Sequence, residues 1–342
     1  MVGTTLGPQD QTDDTYDLND TSYAESEENS SNIKIFTICI YFVIIVIGGI
    51  GNGLVIFVTG HKMKRTVNSI WFLNLAIADF LFIMFLVYDL VLLFESSSHA
   101  ALNKHIYACR FFVFLLNMFA SVFFLTVISV DRCLCTWFVV WAQNKRTLVK
   151  AKIISVFVWI LAICCSIPVG IADYVFNNEN FINVYMSLFT FRFIVGFLIP
   201  FIIIASSYIA IGVRVKRLKI GKQFRPYRII SVILAFFICC FPFHCLSLCL
   251  INAVKYSWSY SAIKKLMAAF FFVSCLAYLN SCLNPILYVF MCDEYKKKLK
   301  KSLLLVFEAA FTEEHLGLRS TPLPQNFQCQ KVLRVQTEET TI

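Results

Sequence analysis

Seven long apolar stretches divide this sequence, and they constrain its fold more than any other feature. They lie at residues 35–60, 70–94, 107–135, 151–172, 185–212, 229–254 and 266–291. An α-helix needs about 20 apolar residues to cross a bilayer core, and each stretch is at least that long. Only 15% of the residues are charged and 58% are hydrophobic, which is typical of a membrane protein. The sequence therefore predicts an all-α fold, a bundle of seven transmembrane helices over residues 35–291.

The basic residues between the stretches predict the orientation. The loops after spans one, three and five and the segment after span seven contain 19 Lys and Arg residues, whereas the opposite side contains six. Basic loops stay in the cytoplasm, so we expect a multi-pass plasma-membrane protein with an extracellular N-terminus. Glycosylation triplets at Asn19 and Asn29 agree with this orientation. The net charge of +9 is then a topology signal, and we expect no nucleic-acid partner.

Three segments lie outside the predicted bundle. Residues 1–34 are acidic and polar and predict a disordered extracellular N-terminus. Residues 292–306 are basic and amphipathic, which predicts a short eighth helix on the membrane surface, in contact with anionic lipid. Cys292 beside it is either palmitoylated or an ordinary membrane-facing thiol. Residues 307–342 predict a disordered cytoplasmic tail.

Polar side chains inside the spans indicate function, because burying an ionisable group in a membrane is costly. Asp79 lies in the second span, Asp131 and Arg132 end the third, and Arg192 lies in the fifth. Helical spacing brings further polar residues toward Asp79, namely Asn117, Ser121, Asn280, Ser281 and Asn284. This predicted network either binds a small monovalent cation such as sodium or is a purely hydrogen-bonded contact between helices.

Short motifs, one or more in each span, decide between receptors and transporters. They are Gly51-Asn52-Gly53, the NLAIAD segment that ends at Asp79, Asp131-Arg132-Cys133, Trp159, Pro200 with Tyr208, Pro242, and the NPILY segment 284–288. Together they resemble the rhodopsin-like (class A) G-protein-coupled receptors. Longer stretches such as NMFASVFFLTVISVDRCLC and NSCLNPILYVFM resemble the chemoattractant branch, which includes the formyl peptide and chemerin receptors.

The resemblance implies a mechanism and partners. An extracellular peptide or lipid chemoattractant would open the cytoplasmic end of the bundle to a heterotrimeric G protein of the inhibitory type, and arrestin would bind afterwards. Asp131 would restrain Arg132 at rest, and Tyr208 and Tyr288 would support Arg132 on opening. Asp79 and the five polar residues around it match the sodium pocket of the family, so sodium is the one cofactor expected. Tyr16 and Tyr23 in the acidic N-terminus are either sulfated or simply part of a solvated tail.

The outer half departs from the family pattern. Cys109 matches the cysteine of the third span that normally forms a disulfide, but the second extracellular loop, 173–185, contains no cysteine; we therefore expect no disulfide at Cys109. Cys240 stands where the family has its switch tryptophan. The predicted activation switch consists of Cys240, Phe241, Pro242, Asn284 and Pro285, with Phe241 or Phe243 taking over the role of the tryptophan.

The predicted ligand pocket contains Arg192, Leu115, Leu188 and His244. Arg192 matches one of two arginines in the fifth span of formyl peptide receptors, whereas Leu188 occupies the other place and Leu115 replaces an acid. Arg192 either anchors a ligand carboxylate or is paired with a helix carbonyl or the membrane interface.

Three alternative functions remain beside a signalling receptor: a decoy receptor, a transporter and an enzyme. A decoy or scavenger receptor of the same fold would bind ligand without signalling, and Cys240 and the missing disulfide favour it. A transporter would show internal repeats, and none is visible. An enzyme is not expected, because no nucleophile or metalloprotease motif accompanies Asp79.

Overall fold

The computed structural model describes residues 14–62, 64–94, 100–170, 181–218 and 226–291, and this part of the chain is helical. Its α-helices are α1 (Asp14–Phe57), α2 (Val67–Phe94), α3 (Ala100–Trp137), α4 (Val139–Lys145), α5 (Leu148–Gly170), α6 (Phe181–Phe193), α7 (Ile199–Arg217), α8 (Pro226–Lys255) and α9 (Tyr260–Met291). Two π-helical turns, Val58–Lys62 and Ile194–Leu198, extend α1 and join α6 to α7.

Within the described part of the chain, seven helical segments are long and apolar enough to cross a membrane, which agrees with the predicted number of spans. They are Lys34–Lys62, Val67–Val91, Ala108–Trp137, Leu148–Pro168, Phe181–Arg217, Phe236–Lys255 and Tyr260–Ile286. The fifth, formed by α6 and α7, extends beyond the predicted 185–212 at both ends, and at the C-terminal end basic residues continue the helix past its apolar part.

The N-terminal segment differs from the prediction of disorder. The first helix begins at Asp14, about 20 residues before the apolar stretch, so the chain from Asp14 to Lys34 is helical. Acidic residues are favourable near a helix N-terminus because they complement the helix dipole, and a helix already formed by the span extends at little cost. Residues 1–13, the predicted membrane-surface helix 292–306 and the tail 307–342 lie outside the described residues.

The third helix is the centre of the bundle, since α3 packs against α2, α5 and α7. The α1 helix contacts both α2 and α9, and α8 contacts α9 and α6. Glycine allows the closest of these contacts: a Cβ on Gly51 would lie 3.0 Å from the Pro285 ring, and one on Gly48 would lie 2.7 Å from Ile83. The glycines of the first span therefore let α1 approach α2 and α9, where the polar residues lie.

The π-helical turn in the fifth span accompanies Pro200. Proline has no N–H to donate and its ring crowds the preceding turn, and an extra residue in a π-turn accommodates both effects. The turn presses Gly196 against α3, where a Cβ would lie 3.0 Å from the Phe119 ring. The fifth span thus approaches α3 closely, directly beside the buried Arg192 and Phe197.

Candidate functional site

A polar cluster surrounds Asp79 in the middle of the bundle. Asp79 is fully buried, and its Oδ1 accepts hydrogen bonds of 3.1 Å from Asn117 Nδ2 and 3.1 Å from Ser121 Oγ, both on α3. Its Oδ2 accepts a 2.7 Å bond from Asn284 Nδ2 on α9. Ser281 Oγ donates to Asn117 Oδ1 at 3.3 Å. The structure therefore brings α2, α3 and α9 together at the predicted residues.

Two neighbours extend this cluster. Asn52 Nδ2 donates to the Gly48 and Ser281 carbonyls at 3.0 and 2.9 Å, which connects α1 to α9. Asn280 is buried and lines, with Asn117 and Ser281, a small cavity of about 20 Å³ beside the cluster. A cavity of this size holds about one water-sized group.

The donor set fits a small monovalent cation. The ion pairs within the described residues are Arg110–Asp89 and Arg146–Asp131, so no side-chain cation there pairs with Asp79. Asn284 Oδ1 and Asn52 Oδ1 are buried without a hydrogen-bond partner. A buried carboxylate with spare neighbouring oxygens is the hard-ligand environment that small cations prefer, because an uncompensated buried charge is costly.

At the other functional end, Asp131 has a different partner from the predicted one. Its carboxylate forms a bidentate ion pair with Arg146, with Nε–Oδ1 and Nη2–Oδ2 distances of 2.8 and 2.7 Å. Arg146 Nη2 also donates to Asn68 Oδ1 on α2. Asp131 therefore pairs with Arg146 in this structure, and the expected restraint of Arg132 by Asp131 at rest stays a prediction. Hydrogen bonding to Asp131 raises the pKa of Arg146, so this guanidinium remains charged.

Arg132 is left half-buried beside the fifth span. Tyr208 on α7 is buried and lies against Ser129 and near Arg132. Trp137 Nε1 donates to the Ala210 carbonyl at 3.1 Å, which fixes the end of α3 to α7. The backbone of Tyr288 lies in α9, whereas its side chain falls outside the described residues, so its predicted role stays a prediction.

The bundle end opposite Arg132 contains an open cavity of about 500 Å³, called here the outer cavity. Its lining comes from α1, α2, α3, α8 and α9 and is largely aromatic, with Tyr41, Phe111, Phe114, Phe243, Phe270, Phe271 and Tyr278. One ion pair lies in it: Arg110 Nε is 2.9 Å from Asp89 Oδ2. Sequence reasoning missed Asp89, although an acid inside the predicted second span is the same signal that identified Asp79.

The predicted ligand-pocket residues do not line this outer cavity. Arg192 and His244 are each 1% exposed, and Leu115 is fully buried; Leu188 is half-buried. Arg192 Nε and Nη2 have no hydrogen-bond partner. The guanidinium instead lies over the rings of Phe189 and Phe243, at 4.5 and 4.9 Å from their centroids. Arg192 is therefore a buried cation held by aromatic faces.

Phe243 separates Arg192 from the outer cavity. Its ring borders the outer cavity, lies under Arg192 and packs edge-on against Phe114 at 5.3 Å. Phe114 and Phe243 also line the 20 Å³ cavity beside the Asp79 cluster, together with Cys240. Phe241 stacks instead on Phe237, at 4.7 Å. Of the two phenylalanines considered as replacements for the switch tryptophan, Phe243 is the one between the two cavities.

The remaining predicted residues have simpler surroundings. Cys109 is a free, exposed thiol; the loop segment 171–180 lies outside the described residues. Pro242 and Pro285 lie inside α8 and α9, and Cys240 is buried. Asn19 and Asn29 lie in the N-terminal part of α1, and their side chains are not described, so glycosylation stays a prediction.

Comparison with known proteins agrees with this arrangement. The sequence pattern of the 7 transmembrane receptor (rhodopsin family) matches residues 51–288. The chain is 37% identical to the C3a anaphylatoxin chemotactic receptor of Danio rerio, over 93% of this chain and 86% of that receptor.

Two further relatives are chemoattractant receptors. Identity is 35% with the human Chemerin-like receptor 1, over 77% of each chain. It is 34% with the N-formyl peptide receptor 3 of Pan troglodytes, over 82% of this chain and 86% of that receptor. The resemblance to the chemoattractant branch that the motifs indicated is thereby confirmed.

Proposed function

This chain belongs to the rhodopsin family of seven-transmembrane receptors, and from that premise we propose that it transmits an extracellular chemoattractant signal to a heterotrimeric G protein of the inhibitory type. The members of this family are non-enzymatic receptors, which confirms that the chain is not an enzyme and removes the transporter alternative. The distribution of 19 basic residues against six supports an extracellular N-terminus and a cytoplasmic Arg132 end.

The observation that carries the proposal is the unpaired buried charge of Arg192. Its guanidinium has two nitrogens without hydrogen-bond partners, and a buried charge without a counter-charge is costly. A ligand carboxylate that entered from the outer cavity would supply that counter-charge through charge-assisted hydrogen bonds. The ligand class is therefore a peptide with a free C-terminus or a lipid acid, which agrees with the chemotactic and peptide receptors among the relatives.

Phe243 then provides the first step of transduction. It must rotate before a carboxylate from the outer cavity reaches Arg192, because its ring lies between the two. Rotation disturbs the contact between Phe243 and Phe114, and it changes the wall of the small cavity beside the Asp79 cluster. Ligand binding is in this way coupled to the polar centre of the bundle without the tryptophan that other family members use.

The cytoplasmic end completes the mechanism. Opening of the bundle would expose Arg132 to the C-terminal helix of the G protein, with Tyr208 and Tyr288 in support, and arrestin would bind the tail afterwards. Sodium at the Asp79 cluster would stabilise the closed state, since a cation bound among α2, α3 and α9 favours the conformation that holds them together.

A decoy receptor is the second candidate. Cys240, which replaces the switch tryptophan of the family, and the free thiol of Cys109 favour it. Both lie in the half of the bundle that couples ligand binding to the rest of the receptor. G-protein activation in cells separates the two candidates. We expect dissociation of an inhibitory-type G protein on exposure to chemoattractant extracts, and none in Arg132→Ala. Arrestin recruitment without any G-protein response would favour the decoy, and full signalling by Arg132→Ala would show that Arg132 is assigned wrongly.

A further inference from the structure

A third cavity, of about 290 Å³, lies at the Arg132 end between α2, α3, α4 and α5. Its walls are mainly apolar and basic, with Val130, Trp141, Ile154, Lys145 and Lys150, and they also include the paired Arg146 and Asp131. We call it the basic side cavity. A pocket of this size is at the lower limit for small-molecule sites, so it fits the end of a larger molecule.

The basic side cavity opens on the outer surface of the bundle. Val130, Ile154 and Trp141 are 36%, 41% and 44% exposed, although all three are large and apolar. In a membrane protein such a surface faces acyl chains, and a tryptophan at the edge of the membrane is typical of the headgroup level. The occupant therefore reaches the cavity from the bilayer.

The charges of the cavity are unbalanced. Arg146 is neutralised by Asp131, but Lys145 and Lys150 are exposed and take part in neither of the two ion pairs within the described residues. Two lysines above an apolar wall complement a molecule with an anionic head and an apolar tail.

An independent feature indicates a polar group inside the cavity. Trp71 lines it and is 3% exposed, and its Nε1 has no hydrogen-bond partner. A buried indole N–H normally finds an acceptor. An acceptor oxygen of a bound molecule would satisfy this N–H.

We propose that the basic side cavity binds an anionic phospholipid of the adjacent leaflet. The phosphate and headgroup contact Lys145 and Lys150, an oxygen of the lipid accepts from Trp71 Nε1, and one acyl chain follows Val130 and Ile154. Under the orientation given in the proposed function this leaflet is cytoplasmic, where anionic lipids are concentrated. Because the site adjoins the Asp131–Arg146 pair, its occupant acts on the loop that restrains Asp131.

Native mass spectrometry of the full-length chain tests this directly. The purified protein is placed in mixed micelles of phosphatidylcholine and phosphatidylserine, and retained lipids are counted. We expect a preference for phosphatidylserine that falls about 25-fold in Lys145→Gln/Lys150→Gln, about fivefold for each lysine. In Trp71→Phe, which keeps one aromatic ring but removes the indole N–H together with part of the ring system, we expect a fall of about tenfold.

The matched control is Lys264→Gln/Lys265→Gln, two exposed lysines at the opposite end of the bundle, which should leave the preference unchanged. An equal fall in the control, or no preference in the wild type, would overturn the proposal. Two further experiments identify the source of the ligand. If soluble glycerophosphoserine competes as well as phosphatidylserine does, the cavity is a simple anion site. If oleate is retained as well as phosphatidylserine, the cavity is a fatty-acid site. Both outcomes contradict the phospholipid assignment.

Thermal unfolding of each variant shows that it is folded. The readout needs neither agonist nor G protein, so a failure of lipid binding is distinguishable from a failure of the signalling proposal.

Discussion

The Asp131 carboxylate is held by Arg146, at 2.7 and 2.8 Å, and not by its neighbour Arg132. Through Asn68 the same guanidinium reaches α2, so one side chain connects α2, α3 and the segment after α4. In this arrangement the segment after α4 supplies the ion-pair partner of Asp131.

A double-mutant cycle tests this pairing. We expect Asp131→Asn and Arg146→Gln to be coupled by about 1–3 kcal/mol in the free energy of unfolding, because a bidentate charged hydrogen bond is partly buried here. Asp131→Asn and Arg132→Gln should be coupled by less than about 0.5 kcal/mol. The measurement is equilibrium unfolding of the purified receptor. A larger coupling with Arg132 would mean that the resting pair is the one the family resemblance implied.

Sodium should stabilise the receptor through Asp79. Above the dissociation constant, each tenfold increase in sodium adds about 1.4 kcal/mol to the free energy of unfolding. The effect should vanish in Asp79→Asn and weaken in Ser121→Ala, which removes one oxygen near the carboxylate. Melting temperatures in sodium and in N-methylglucamine chloride at equal ionic strength measure this. A shift of equal size in Asp79→Asn would contradict a cation at this cluster.

Restoring the family tryptophan should not restore a family-like switch. Cys240 lines a cavity of only about 20 Å³, so Cys240→Trp would overpack the core and destabilise the receptor by about 1–3 kcal/mol. Removing the neighbouring ring, in Cys240→Trp/Phe243→Ala, should recover part of the loss. Cys240→Ala is the control for the loss of the thiol. A more stable Cys240→Trp would show that this region is looser than the structure indicates.

The ion pair between Arg110 and Asp89 in the outer cavity should contribute to the stability of the receptor. Arg110 is 37% exposed and Asp89 is 7% exposed, so Asp89→Asn would leave a cation at the cavity wall. We expect lower thermal stability in Asp89→Asn, with a coupling to Arg110→Gln of about 1 kcal/mol, a modest value because solvent screens the arginine. Additive effects of the two substitutions would show that the pair contributes nothing measurable.

The sequence predicted the spans and the Asp79 cluster because both follow from local rules. Apolar length defines a span, and helical spacing places Asn117, Ser121, Ser281 and Asn284 on faces that meet Asp79. The helical extension of α1 to Asp14 was missed because the segment has no apolar periodicity, the signal on which helix prediction relies.

Contacts between distant segments could not be predicted from the sequence by these local rules. The Asp131–Arg146 pair depends on how the chain turns after α4, and no pattern of spacing encodes that turn. Arg192 was predicted to belong to the ligand pocket, but the ring of Phe243 lies between it and the outer cavity. Side-chain packing across α3, α6 and α8 decides that closure, and a single sequence does not reveal it.

The most direct test of the central claim uses a library of short peptides with free carboxyl termini and the same library with amidated termini. G-protein activation is measured in cells that express the wild type, Arg192→Gln or Arg132→Ala. We predict activation by free-acid peptides alone. In Arg192→Gln the peptide concentration needed for activation should rise about 30-fold or more, because losing one partner of a buried charged pair costs ~2 kcal/mol or more. Arg132→Ala should give no G-protein activation. Equal activation by amidated peptides, or an unchanged response in Arg192→Gln, would contradict the claim that Arg192 anchors the ligand carboxylate and starts the signal.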